Sequence, residues 1–387
     1  MTAGRVFWPL LVVHAILVQV ISYGLRPSLS YAVIELGYGS VWLAVLAAMF
    51  ALPPLILAVA TGRLVDRVGE RPSMVIGGAA LTGASAIALV ASDHLALLIA
   101  ATALLGIGII FSMVAEQSAV TGQARRRGMD TVFGVYTFIT SLGQGVGPLL
   151  LLMPPAPGAL SPPLEPIAAA CGLASLVTLA VSFGFGSHHR AAPAPVSEGR
   201  WPARRLLAIP GMYRALLVSG LILASIDVTL AYLPALAHSR GIAPGWVTAM
   251  LAARSIMTMA SRINLGSLVR LLGRRKLTVA ACAVSALALC GLPLPVPVAV
   301  LIALTAVYGF AAGLGQPMTM VWVTRLTPSG TQGTVLSLRI AGNRLAQTLI
   351  PAVSGAAAAV SGVSGVLLLT GATLGVAAWS ATAVPDD

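Results

Sequence analysis

Residues 62–72 read GRLVDRVGERP, flanked by the apolar runs SVWLAVLAAMFALPPLILAVA and SMVIGGAALTGASAIALVA. Three arginines (Arg63, Arg67, Arg71) and two acids (Asp66, Glu70) crowd into this connection, in a chain with only 9% charged residues. A charge cluster between two segments that water rejects marks where a pair of helices leaves a membrane.

Hydrophobic residues fill 58% of the 387 positions, and the mean hydropathy is +0.94. The charged share is about a third of that in soluble domains. A bilayer core about 30 Å thick needs roughly 20 apolar residues per helix. The runs here are continuous and near that length, unlike the alternating segments of an outer-membrane barrel. The net charge of +12 would suggest nucleic acid in a soluble chain. Here the basic residues fall in short clusters between apolar runs, as cytoplasmic loops require, so no nucleic-acid partner is expected. Cys171, Cys282 and Cys290 lie inside apolar runs with no metal-ligand spacing, and read as core residues. The start of the chain reads as a retained first helix rather than a cleaved signal.

Twelve spans are predicted, at 6–32, 40–61, 73–91, 94–120, 131–153 and 165–186, then 211–235, 244–262, 275–293, 297–324, 333–359 and 362–382. The longest polar stretch, SHHRAAPAPVSEGRWPARR, divides an N-terminal bundle (1–186) from a C-terminal one (211–387), with a cytoplasmic central loop at 187–210. Arginines cluster in the even-numbered connections, which predicts both termini in the cytoplasm and an inner-membrane location.

The halves repeat. GRLVDRVGERP aligns with GSLVRLLGRRK at 266–276, and the same offset of 204 brings Gly37 onto Gly241. Further on, an offset of 203 places Gln144 on Gln347 and Pro148 on Pro351. Two six-helix repeats about a central loop is a transporter plan.

With its Gly, its spaced Asp-Arg pair and its following Gly and Arg, GRLVDRVGERP resembles the signature between helices 2 and 3 of the major facilitator superfamily. The second copy departs from it, with Arg270 where Asp66 would fall. The resemblance spans the chain and implies twelve transmembrane helices in two pseudo-symmetric bundles, rocking to alternate access to a central cavity. It implies an inner latch made by Gly62, Asp66, Arg67, Gly69 and Arg71, with Glu116 joining through Arg67 or Arg71 and the start of helix 11 as partner. In helix 5, Gly143, Gly147 and Pro148 form a GxxxGP core that resembles the helix-bend motif of proton-coupled exporters, although its trailing Gly pair is missing. Helix 4, ATALLGIGIIF, has Thr102 near the place where drug-proton antiporters carry an Arg.

Ionisable residues within a span are costly and point to function. At 1.5 Å per residue, Arg254 lies roughly 12 Å deep and Arg344 roughly 16 Å deep. Arg26 lies toward the outer part of helix 1, and Arg339 is shallower than Arg344. One deep acid, Asp227, faces this surplus. Arg binds carboxylate or phosphate in a two-pronged geometry, so the expected substrate set is Arg26, Asp227, Arg254, Asn343, Arg344 and Gln347, with Gln144 on helix 5. Arg339, Asn343 and Gln347 recur every four residues and share a face. Asp227 is also the expected proton carrier, since burial and a neighbouring Arg act in opposite senses on its proton. His14 reads as a hydrogen-bonded packing residue.

The chain shows no HExxH, GxSxG or P-loop pattern, so neither an enzyme nor an ATP-driven pump is expected. No metal and no cofactor is expected. The expectation is a secondary active transporter that works as a monomer. It would export a small anionic or zwitterionic solute with proton coupling. The alternatives are a proton-coupled importer of an organic anion, a multidrug exporter of lipophilic cations, and a non-transporting membrane sensor.

Overall fold

The computed structural model describes residues 3–127, 129–154, 161–185, 203–327 and 332–384. Among these the ordered structure is helical, with no strand. The first half holds α1 (Ala3–Glu35), α2 (Ser40–Val68), α3 (Glu70–Leu89), α4 (Leu95–Arg127), α5 (Met129–Val146) and α6 (Leu164–Phe183). The second holds α7 (Met212–Ser239), α8 (Pro244–Leu272), α9 (Arg274–Gly291) and α10 (Val298–Arg325). The helical stretch Gln332–Ala381 turns at Gly362 (φ 61, ψ −159), giving α11 (332–360) and α12 (Ser361–Ala381). A short helix, Ala203–Leu207, precedes α7.

Nine of the described helices are long and apolar enough to cross a bilayer. The other three long ones carry charges along or at the start of the helix. These are Arg254 and Arg262 in α8, Arg274, Arg275 and Lys276 at the start of α9, and Arg339 and Arg344 in α11.

The stretch at 62–72 is a corner rather than the loop expected. α2 runs on through Val68, Gly69 turns the chain at φ 88, and α3 starts at Glu70. Arg, Leu and Glu are good helix formers, so the helical ladder outlasts the apolar span. Arg67 in the last turn of α2 and Glu70 in the first turn of α3 suit the ends of the two helix dipoles. The second repeat turns the same way, with Gly273 at φ 72 between α8 and α9. Gly37 (φ 76) and Gly241 (φ 64) form a second such pair. Both pairs keep the offset of 204, so the repeat is present in the backbone as well as in the letters.

The fifth span, expected at 131–153, changes geometry at its helix-bend motif. α5 ends at Val146 and continues as the 3₁₀ segment Gly147–Leu152, with Pro148 near its start. Proline supplies no N–H to an α-helical ladder. Small residues set the spacing here. A Cβ on Gly143 would lie 2.7 Å from Gln19 Cβ, and one on Gly147 would lie 2.8 Å from the Val20 carbonyl oxygen.

Two compact units emerge. One holds the described residues within Met1–Tyr38, Met49–Ala191 and Ala237–Thr248; the other holds those within Gly39–Ala48, Ala192–Leu236 and Ala249–Asp387. In the first, α1 packs against α4, α5 and α6, and α3 against α4 and α6. In the second, α9 packs against α10 and the 332–381 stretch. Segment 39–48 is tied into the second unit by two hydrogen bonds. Ser40 Oγ donates to the Ala358 carbonyl at 3.3 Å, and Tyr232 donates to the Ser40 carbonyl at 2.8 Å.

Candidate functional site

The second unit has a buried polar core on α7, α8, α10 and α11. Asp227, Arg254, Asn343, Arg344 and Gln347 are each no more than 8% exposed. Gln347 joins two of them. Its Nε2 donates to Asp227 Oδ2, and its Oε1 accepts from Arg344 Nη1 at 3.2 Å. A single amide thus bridges an anion and a cation, with each end matched to the charge it meets. Four-residue spacing puts Asn343 and Gln347 on one face of α11. Asn343 Oδ1 is buried with no hydrogen-bond partner among the described residues.

Arg254 is set by backbone packing. A Cβ on Gly309 of α10 would fall on the Arg254 carbonyl oxygen, so α8 and α10 touch main chain to main chain. Thr258 Oγ1 reinforces the contact, with both the Arg254 and the Gly309 carbonyls as acceptors at 2.9 Å. Next to Gly309 in the chain, Tyr308 shares a 2.7 Å hydrogen bond with Ser225 of α7.

Arg339 has a local role. Its Nη2 donates to the Gln316 carbonyl at 3.1 Å, to Gln316 Oε1 at 2.8 Å and to Thr319 Oγ1 at 3.2 Å. It ties α11 to α10 with neutral acceptors.

The first unit has its own buried polar core, which sequence reasoning did not assemble. Glu116 of α4 was expected to join the latch through Arg67 or Arg71. It is instead fully buried and engaged at both oxygens. Oε1 lies 2.6 Å from His14 Nδ1 of α1, and Oε2 accepts from the Tyr136 hydroxyl of α5 at 2.8 Å. α4 runs well past the inner end of its apolar stretch, to Arg127. Position 116 therefore lies within the bundle.

The remaining predicted residues are placed as follows. Gly62 is half-buried in α2, Arg67 is exposed, and Gly69 is buried at the corner. Arg71 stacks on Phe183 of α6 at 5.6 Å. The side chain of Asp66 lies outside the described residues, and with it the latch contact expected of it. Arg26 is buried, with its guanidinium 3.9 Å over the Phe50 ring. Gln144 donates to Gln19 of α1 at 3.4 Å.

Apolar helices that enclose charged residues, in two repeats of one design, define a membrane transport protein. The family model of the Major Facilitator Superfamily matches residues 11–298 and 215–387. This chain belongs to that superfamily and is a multi-pass integral membrane transporter. No curated protein matches it significantly. Among solved structures it is similar to the nucleoside transporter NupG, at TM-score 0.75 and 13% identity, with 98% of this chain and 99% of that one covered. It is also similar to the xylose transporter XylE from E. coli in an inward open conformation, at TM-score 0.74 and 14% identity over 99% and 97% of the two chains. A D-xylose-proton symporter gives TM-score 0.75 and 13% identity over 98% of each. At such identities the likeness concerns the fold.

Proposed function

We propose that this chain is a secondary active transporter of a small organic anion or zwitterion, and that it exports the solute with proton coupling across an inner membrane, both termini in the cytoplasm. One observation carries the substrate class. Arg254, Arg344 and the Asp227–Gln347 bridge are all buried in the second unit, where guanidinium groups outnumber carboxylates among the buried described residues. Surplus charge in a low-dielectric interior calls for a compensating partner, and a guanidinium takes a carboxylate or phosphate in a planar, two-pronged fit. A ligand carboxylate on Arg254 or Arg344 would supply such a partner.

Export is supported by the GxxxGP core, where Gly143 and Gly147 press α5 onto α1 and the helix changes to 3₁₀ geometry at Gly147. Orientation is supported by the arginines at the corner of α2 and α3 and at the start of α9, as cytoplasmic connections require.

The test is ligand-induced thermal stabilisation of the detergent-purified protein, with mono- and dicarboxylates, phosphate esters, tetraphenylphosphonium and neutral sugars as probes. A ligand at one hundred times its Kd stabilises the folded state by about 2.7 kcal/mol. Stabilisation by carboxylates or phosphate esters, lost in Arg344→Ala, is the expected result. Stabilisation by tetraphenylphosphonium alone would overturn the anion reading.

A further inference from the structure

The Glu116 core has a composition that packing alone does not require. A carboxylate, an imidazole and a phenol from three different helices meet inside a wall of apolar side chains that includes Leu11, Ala115, Ile139 and Phe185. His14 and Glu116 are fully buried and Tyr136 is 3% exposed. His14 Nδ1 faces the acid at 2.6 Å. Its Nε2 is buried with no hydrogen-bond partner among the described residues, and its ring lies edge-on to Phe185 at 5.9 Å.

Charge balance sets what this trio holds. A neutral imidazole beside an ionised Glu116 leaves a net negative charge in apolar surroundings, which costs several kcal/mol. One further proton, on either the carboxylate or the imidazole, makes the pair neutral. The other described titratable groups on the elements packed here do not supply the balance. Tyr136 donates a neutral hydroxyl. Glu70 of α3 accepts from Ser118 at 3.1 Å and is itself acidic. Arg71 is over Phe183, Arg67 and Arg63 are exposed on α2, and Cys171 of α6 is a neutral thiol. Among the described residues, His14 is the one basic group within ion-pair distance of Glu116.

The unpartnered Nε2 gives the route. Water that reached it would satisfy the ring on its open side, and the imidazole could then pass a proton between Nε2 and the carboxylate at Nδ1. In a transporter that exposes its interior to each side in turn, such a pair loads on one side and unloads on the other.

We propose that His14, Glu116 and Tyr136 form a one-proton site, and that its loading couples proton movement to transport. The inference rests on the proton-coupled reading above and adds a proton site in the first unit to the one expected at Asp227.

Infrared difference spectra of the protein in lipid vesicles, recorded as the buffer pH is stepped, test it. The expected result is a titrating protonated-carboxyl band that disappears in Glu116→Gln and shifts its midpoint in His14→Gln. Tyr136→Phe keeps both titrating groups and removes one hydrogen bond, so its midpoint should shift by about one pH unit or more. It also serves if Glu116→Gln does not fold. A carboxyl titration unchanged in all three variants overturns the proposal. Thermal stabilisation by carboxylates on the same wild-type preparation reports the arginine core separately, and its absence would overturn the substrate reading while leaving the infrared result to stand or fall alone.

Discussion

Gln347 Nε2 donates to the carboxylate of Asp227, binding α11 to α7. At an offset of 203, Gln144 donates to Gln19 and binds α5 to α1 at 3.4 Å. The same glutamine is used twice, once toward an acid and once toward a neutral amide. Hydrogen bonds to charged groups contribute about 1.5–3 kcal/mol and neutral ones about 1. Gln347→Leu should therefore lower the melting temperature more than Gln144→Leu, and it alone should abolish stabilisation by carboxylates. Paired thermal melts with and without the anion check both points.

Glycine packing repeats as well. A Cβ on Gly106 would fall on the Phe50 carbonyl oxygen just as one on Gly309 would fall on that of Arg254. The first repeat thus carries Phe50 where the second carries Arg254. Arg254→Phe transplants that residue, and replacing a buried charge by a fitted hydrophobe is often neutral or stabilising. The variant should fold with a melting temperature at or above wild type while losing its carboxylate response. A folded variant that still responds would remove Arg254 from the site.

Gly309→Ala tests the backbone contact beneath that arginine. The added methyl group has main chain, rather than a flexible side-chain end, in its way, and overpacking of this kind costs about 1–3 kcal/mol. The expected outcome is a lower melting temperature and weakened anion stabilisation, because Arg254 moves with α8. Gly62→Ala, with open space around it, is the control that should change neither.

Arg339 separates structure from ligand binding. Its three hydrogen bonds go to Gln316 and Thr319, so Arg339→Met should destabilise the protein by about 2 kcal/mol through lost charge-assisted bonds. Carboxylates should still raise the melting temperature of this variant, in contrast to Arg344→Ala.

Much of the fold was legible in the sequence because it rests on local quantities. Apolar runs near bilayer length gave the helices, and glycines at a fixed offset gave the repeat. Helix ends are less legible than spans, because the ladder runs on past the apolar core where charged residues enter it, as Arg63, Asp66 and Arg67 do in α2. The second polar core was half legible. Spacing put Asn343 and Gln347 on one face, but no local rule could say that the Gln347 amide would bridge Arg344 and Asp227. The first core was not assembled at all, because His14 and Glu116 are 102 positions apart. Each alone looked like a packing residue or a latch residue. Two polar residues of complementary chemistry, each deep in its own span, were the available signal.

The paired corner glycines have a consequence for how the two halves could diverge. At Gly37, Gly241 and Gly273 an added Cβ would meet nothing within 4 Å, so what excludes a side chain there is the sign of the backbone rotation and not crowding. Side chains at corresponding places have parted company, with Asp66 opposite Arg270 and Phe50 opposite Arg254. The handedness of the turns has not. Ancestry is kept in the one residue type that has no chirality, and the surrounding side chains were free to change in size and charge.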